Sequence, residues 1–320
     1  MAKNFPKEIE QIKKDIEELK IQGATNVAIS TFEGMKLFLR NKWGNDSIKD
    51  LVKSALEVGE YLSNARENEP LARNGVLYIK KKSENLYMEK MDIRKAQDRL
   101  LSFIDEYLDI ISGSKKELVK NSADDLREFE NVLTHCHSST VVELFKGMSR
   151  GKKKSEFGVV CTETRPKYQG RVTAKALLDI GIDTTLISDS AAESFAIGRG
   201  SRPVDAIFLG CDQITRDGYM INKIGSWGIA MAAHYASKPV YVVTPLLKMD
   251  PKISASEVEI EVREEEELWS NAPKGLEMYN PSFEIIDNIL ITGYITEEGI
   301  LKANELEEAV KRRYQWLFEE

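Results

Sequence analysis

From Ser114 onward, short apolar runs alternate with stretches of helical period. The runs cover residues 131–135, 157–161, 184–188, 206–209, 240–244 and 289–292; helical stretches such as 171–180, 224–236 and 301–318 lie between them. Runs that are almost continuously apolar belong to strands buried on both faces, and parallel strands need crossover helices to join them. The pattern predicts an α/β fold, a Rossmann-like doubly wound parallel sheet over residues 126–320.

The first part of the chain lacks that alternation. Ile9, Ile12, Ile16 and Leu19 recur at the spacing of one helix face. Further helices are expected over 27–43, 47–64, 71–82 and 91–113, with Pro70 opening one of them. Residues 1–125 are therefore expected to form a separate helical domain. Gly23 reads first as the cap that ends the opening helix, or else as a place where backbone N–H groups reach a ligand.

Composition narrows the function classes. The chain has 320 residues, 42% hydrophobic and 30% charged, with a net charge of −7. An acidic balance disfavours a broad nucleic-acid surface but leaves room for a local basic pocket. No run is long enough to span a membrane, and the N-terminus is charged without an apolar signal core, so a cytoplasmic protein is expected. The three cysteines, Cys136, Cys161 and Cys211, have neither disulfide nor zinc spacing. Successive residues of an extended segment point apart, so His135, Cys136 and His137 are not expected to ligate one metal. No GxGxxG or GxxxxGK[ST] occurs, so neither a dinucleotide cofactor nor a triphosphate loop is expected. Residues 152–154, all lysine, read as a solvated loop, and the glutamates at 264–267 as a solvated surface.

Chemistry concentrates where the strands end, the edge at which open α/β sheets hold ligands. Cys136 is followed by Ser138, Ser139 and Thr140 at a strand-to-helix turn, which forms an anion site and favours thiolate; the same residues also read as a structural cysteine and a helix cap. Arg165 offers a fork for phosphate or carboxylate, or a surface ion pair. Ser188 and Asp189 read as a helix cap. The run 206–209 ends in Gly210, Cys211 and Asp212, with Asn222, Lys223 and Gly225 beyond. Taken alone, Asp212 reads first as a turn or cap residue. Lys248 follows the next strand end. Together these put one thiol, one acid and several cations on one edge, an arrangement suited to acid/base work on a phosphorylated sugar.

The motifs over 134–140, 163–170, 189–190, 210–214 and 221–226 resemble those of one superfamily. It holds 5-methylthioribose-1-phosphate isomerase, ribose-1,5-bisphosphate isomerase and the regulatory subunits of the exchange factor for translation initiation factor two. The resemblance covers nearly the whole chain and is nearest to the ribose-1,5-bisphosphate isomerases. It implies Cys136 and Asp212 as the catalytic pair and no cofactor. It implies substrate contacts at Gly23, Ala24, Arg66, Ser138, Ser139, Thr140, Asn222, Lys223 and Lys248. The substrate it implies is a phosphorylated pentose from nucleotide degradation feeding Rubisco, and the assembly a homo-oligomer, a dimer or trimer of dimers. In this picture Asp212 is the acid and the Cys136 thiolate the base, with Lys223, Lys248 and Arg165 on phosphate oxygens. The alternative is a non-catalytic regulatory subunit that binds a nucleotide or sugar phosphate and contacts a translation factor. Two positions depart from the family pattern: Gln22 replaces an arginine before Gly23-Ala24, and Glu67-Asn68 replace Pro-Thr after Arg66.

Overall fold

The computed structural model describes residues 5–41, 47–87 and 91–319. Two compact units emerge: residues 1–113 with 247–250 and 310–320, and residues 114–246 with 251–309.

The first unit contains α1 (Lys7–Glu17), α2 (Ala24–Arg40), α3 (Ile48–Ser63) and α4 (Pro70–Ser83). It also holds most of α5 (Ile93–Ser122), which continues into the second unit. Residue 43, expected at the end of the second helix, lies outside the described residues. The helices carry buried stripes at the spacing read from sequence, Ile9 and Ile16 in α1 and Leu51, Ala55, Val58 and Leu62 in α3. Burying each large aliphatic side chain stabilises by about 2 kcal/mol.

The single cut expected at residue 125 differs from this division for two reasons. Asn74 donates to the carbonyls of Leu247 (2.8 Å) and Met249 (2.9 Å), holding 247–250 to the helices. Trp316 packs edge-on against Tyr78 at 5.3 Å and Tyr107 at 6.2 Å between centroids, which brings the C-terminal segment back. Neither link has a local sequence signature.

The second unit contains β1 (Asn131–Thr134), α6 (Ser139–Met148), β2 (Gly158–Thr162), α7 (Gln169–Asp179), β3 (Asp183–Ile187), α8 (Ala192–Ala196) and β4 (Ala206–Leu209). Then come β5 (Gln213–Thr215), β6 (Met220–Lys223), α9 (Ser226–Tyr235) and β7 (Val240–Val243). The two-residue β8 (Met249–Asp250) belongs to the first unit. Last are β9 (Phe283–Ile286), β10 (Gly293–Thr296), β11 (Gly299–Leu301) and α10 (Leu306–Arg313), whose end passes into the first unit.

The main sheet runs β3-β2-β1-β4-β7-β10-β11, parallel except for β11. Its six parallel strands follow the Rossmann order, and the order reverses between β1 and β4. Phe208 of β4 centres the core, stacked on Tyr241 at 5.3 Å and edge-on to Phe145 at 5.6 Å.

Some expected elements moved. The strand expected at 289–292 is a 3-10 turn over Asn288–Leu290, and pairing with β7 begins at Gly293. Ile289 is accordingly 77% exposed despite its strand propensity. The helix expected over 301–318 starts at Leu306, because Leu301 closes a hairpin with β10. The loop expected after Asp212 is an antiparallel ladder, β5 paired with β6 and β6 with β9. Asp217-Gly218 at its tip is the hairpin signal that reveals it. Lys152 is not merely solvated: its ammonium donates to the carbonyls of Arg127 (2.6 Å) and Phe129 (3.1 Å).

Candidate active site at the sheet reversal

The ends of β1 and β4 flank the reversal point, and each delivers one half of the expected pair. Beyond Thr134, the chain turns through Cys136 into α6. Beyond Leu209, it turns through Gly210 to Asp212, whose N–H donates to the Ile221 carbonyl at 2.9 Å. The two turns pack together. A Cβ on Gly210 would stand 2.8 Å from Ser138 Cβ and 4.0 Å from Asn222 Oδ1, so a side chain there would force the turns apart.

Cys136 has φ of 68°, a left-handed conformation strained for a residue with a Cβ. Hydrogen bonds hold both sides of it: its N–H donates to Thr164 Oγ1 at 3.0 Å, and its carbonyl accepts from Thr173 Oγ1 at 2.9 Å. A directed chain leads away from it. The Ile224 carbonyl can only accept, so the Nε2 of His135, 2.8 Å away, carries a hydrogen. Nδ1 then accepts from the Thr162 hydroxyl at 2.7 Å, and Thr162 Oγ1 accepts from Thr164 Oγ1 at 3.1 Å. Burial lowers His135 to about 4, which keeps the ring neutral as this chain requires. His137 is engaged elsewhere, with Nδ1 2.9 Å from Thr173 Oγ1.

The thiol is not the thiolate that the helix start led one to expect. Burial pushes Cys136 up to about 11. Lys223 and the His137 backbone N–H pull it down, while the Asp212 and Asp189 carboxylates push it further up. Desolvation of a charged sulfur outweighs the partial charge of the helix end. The same interactions put Asp212 and Lys223 each within electrostatic reach of Cys136.

Lys223 is 8% exposed, and its ammonium lies 4.6 Å from the centre of the Phe283 ring. Among the described residues no carboxylate forms an ion pair with it. A buried cation without a counter-ion suits a bound anion. Its neighbour Asn222 donates to Ser226 Oγ at 2.8 Å, and Ser226 Oγ donates to the Lys223 carbonyl at 2.7 Å. Gly225, with φ of 105°, opens α9 against the His135 ring, which a Cβ there would meet at 3.0 Å. Glu284 accepts from the N–H groups of Gly225 (2.7 Å) and Trp227 (2.8 Å). Ser138 caps α6 by accepting from Val141 N–H at 3.4 Å, and the N–H groups of Ser139 and Thr140 lie in the first turn beside it.

Other expected residues lie differently. Arg165 is exposed, and its guanidinium donates to Tyr168 Oη (2.6 Å) and the Leu268 carbonyl (3.1 Å), so it is not part of this cluster. Gly23, Ala24, Arg66 and Lys248 belong to the first unit. There Gly23 does not end α1, which is complete by Glu17; with φ of 82° and open space where a Cβ would stand, it precedes α2. Arg66 is buried beside Glu69, 3.3 Å away. Lys248 is buried in a 3-10 turn. Sequence reading missed Thr162, Thr164 and Glu284, and it took Asp189 for a cap. Instead Asp189 accepts from the N–H groups of Thr164 and Arg165, both at 2.7 Å, and fixes the turn after β2.

Residues 20–303 match the model of the initiation factor 2 subunit family. The chain belongs to that family. It is 29% identical over 313 residues to the ribose 1,5-bisphosphate isomerase of Methanocaldococcus jannaschii, covering 97% of this chain and 96% of the relative. It is 30% identical over 320 residues to the methylthioribose-1-phosphate isomerase of Thermotoga maritima, covering 95% of this chain and 89% of the relative. Among solved structures, the translation initiation factor eIF-2B of Pyrococcus horikoshii OT3 shares the fold. Its TM-score is 0.78 at 24% identity, over 93% of this chain and 98% of that one. The family's description refers to an initiation factor subunit, whereas these two relatives are named as sugar-phosphate isomerases.

Proposed function

We propose that this chain is an aldose–ketose isomerase that converts ribose 1,5-bisphosphate to ribulose 1,5-bisphosphate, with Cys136 and Asp212 as its acid/base pair. The observation that carries this reading is the convergence of a thiol, a carboxylate and a buried ammonium with no carboxylate partner among the described residues at the sheet reversal. A sensor of sugar phosphates needs the cation but has no use for the other two.

The C1 oxygen of the substrate is esterified, so the ring opens only if its ring oxygen is protonated as the C1 bond breaks. With the thiol raised to about 11, we assign the resting proton to sulfur, the reverse of the roles that the resemblance implies. Cys136 gives its proton to the ring oxygen and becomes thiolate. The Asp212 carboxylate takes the proton from C2, forming an enol at C1–C2. The thiolate then takes the proton from the C2 hydroxyl while Asp212 returns its proton to C1. The ketose leaves with both phosphates, and both side chains regain their starting states. Each transfer is of the kind that contributes about 10²–10⁴-fold to rate. Lys223 and the N-terminus of α6 hold phosphate oxygens.

The test offers the purified protein ribose 1,5-bisphosphate and methylthioribose 1-phosphate in competition, and follows both ketoses by phosphorus NMR. Preferential formation of ribulose 1,5-bisphosphate is expected. Preference for the other sugar would reassign the substrate. Turnover of neither, with a stable complex to a translation initiation factor, would establish the regulatory-subunit reading instead.

A further inference from the structure

We propose that Thr164, Thr162 and His135 are positioning residues, a directed hydrogen-bond chain that holds the Cys136 peptide left-handed and fixes its sulfur relative to the Lys223 turn. The inference rests on the isomerase reading for its kinetic consequence, but its structural content stands apart from it.

Four observations support it. Cys136 occupies a backbone region that a residue with a Cβ leaves when nothing holds it, and the contact on its N–H is Thr164 Oγ1. Thr164 is itself left-handed, with φ of 60°, fully buried, and clamped through its own N–H by Asp189. The hydroxyl of Thr164 is committed in direction: having accepted from Cys136, it donates to Thr162, which donates to His135. Finally, His135 ends the chain on the carbonyl of Ile224, the residue after Lys223. The sulfur-bearing turn and the ammonium-bearing turn, which come from different strands, are thereby tied through these three side chains. The charged groups facing Cys136 are Lys223, Asp212 and Asp189. A displacement of the sulfur changes its distance to all three.

The decisive variant is Thr164→Val, which keeps the shape and removes the acceptor. Its kcat is expected to fall by about 10- to 100-fold with KM within about twofold, the pattern of a lost transition-state arrangement rather than lost binding. Thr164→Ser, which restores the hydroxyl, is expected to recover kcat to within about threefold of wild type. Iodoacetamide labelling of the Cys136 peptide, read by mass spectrometry across pH, supplies a readout independent of turnover. In Thr164→Val its midpoint falls toward that of an ordinary cysteine as the half-buried thiol moves further into water, and Thr164→Ser returns it. An unchanged kcat and midpoint in Thr164→Val, or a Ser variant as impaired as Val, overturns the proposal. If wild type turns over no sugar phosphate, the isomerase reading fails while the labelling arm still decides the positioning role. If Thr164→Val does not fold, Thr162→Val breaks the chain one link further on. It is expected to lower kcat by about fivefold or more, and wild-type values there would equally overturn the proposal.

Discussion

Cys161 lies in β2 and Cys136 just past the end of the neighbouring β1, and burial raises both thiols, to about 12 and about 11. The similarity ends there. Cys161 lies inside β2 in regular conformation, packed in the core, and burial alone accounts for its shift. Cys136 stands past the end of β1, left-handed, with an ammonium and two carboxylates acting on it. A raised thiol value therefore does not mark a functional cysteine. What sets Cys136 apart from Cys161 is a backbone held off its preferred conformation, with opposing charges arranged around the sulfur.

The contrast is broken most directly by substitution. Cys136→Ser is expected to lower turnover by about 10³-fold or more with an unchanged circular dichroism spectrum. Cys161→Ala is expected to keep turnover within about threefold while losing about 1 kcal/mol of stability in urea titration. Equal kinetic damage from both would erase the distinction. A second contrast sets Lys223, buried and without a carboxylate partner among the described residues, against Arg165, exposed and engaged by Tyr168 and Leu268. Lys223→Met is expected to raise KM by about 10²-fold, whereas Arg165→Ala shifts it by less than about threefold.

A smaller effect concerns the neutral ring beside Cys136. The folded value of His135, about 4, lies below its ordinary 6.5. Between these values the unfolded chain binds the proton and the folded one does not, so stability is full above about pH 6.5 and falls as pH drops toward 4. The loss is about 3 kcal/mol. Urea unfolding at a series of pH values would show it in wild type and show it abolished in His135→Gln.

What the sequence disclosed follows from how local each feature is. The runs at β1, β2, β4 and β7 were legible because strands buried on both faces write themselves as continuous apolar segments. The strand-end placement of Cys136 and Asp212 followed from that. The strands β5, β6 and β9 mix polar with apolar residues and write no continuous apolar run, and only Asp217-Gly218 hinted at them. The partners of Cys136 were hidden for another reason. Thr134 pairs with Cys161 in register, which sets Thr162 beside His135. Residues far apart in sequence become neighbours only once the sheet order is known. The raised thiol was misjudged because a helix start is visible in sequence, whereas the packing that desolvates the sulfur is not.

In the proposed reaction Cys136 and Asp212 act as one unit on one substrate. A double-mutant cycle measures this: turnover of ribose 1,5-bisphosphate by wild type, Cys136→Ser, Asp212→Asn and the combination, with folding verified for each. The prediction is that each single variant loses about 10³-fold or more and that the double variant is no worse than about tenfold below either, since removing one member already disables the other. Wild-type turnover in either single variant, or losses that multiply in full, would contradict it.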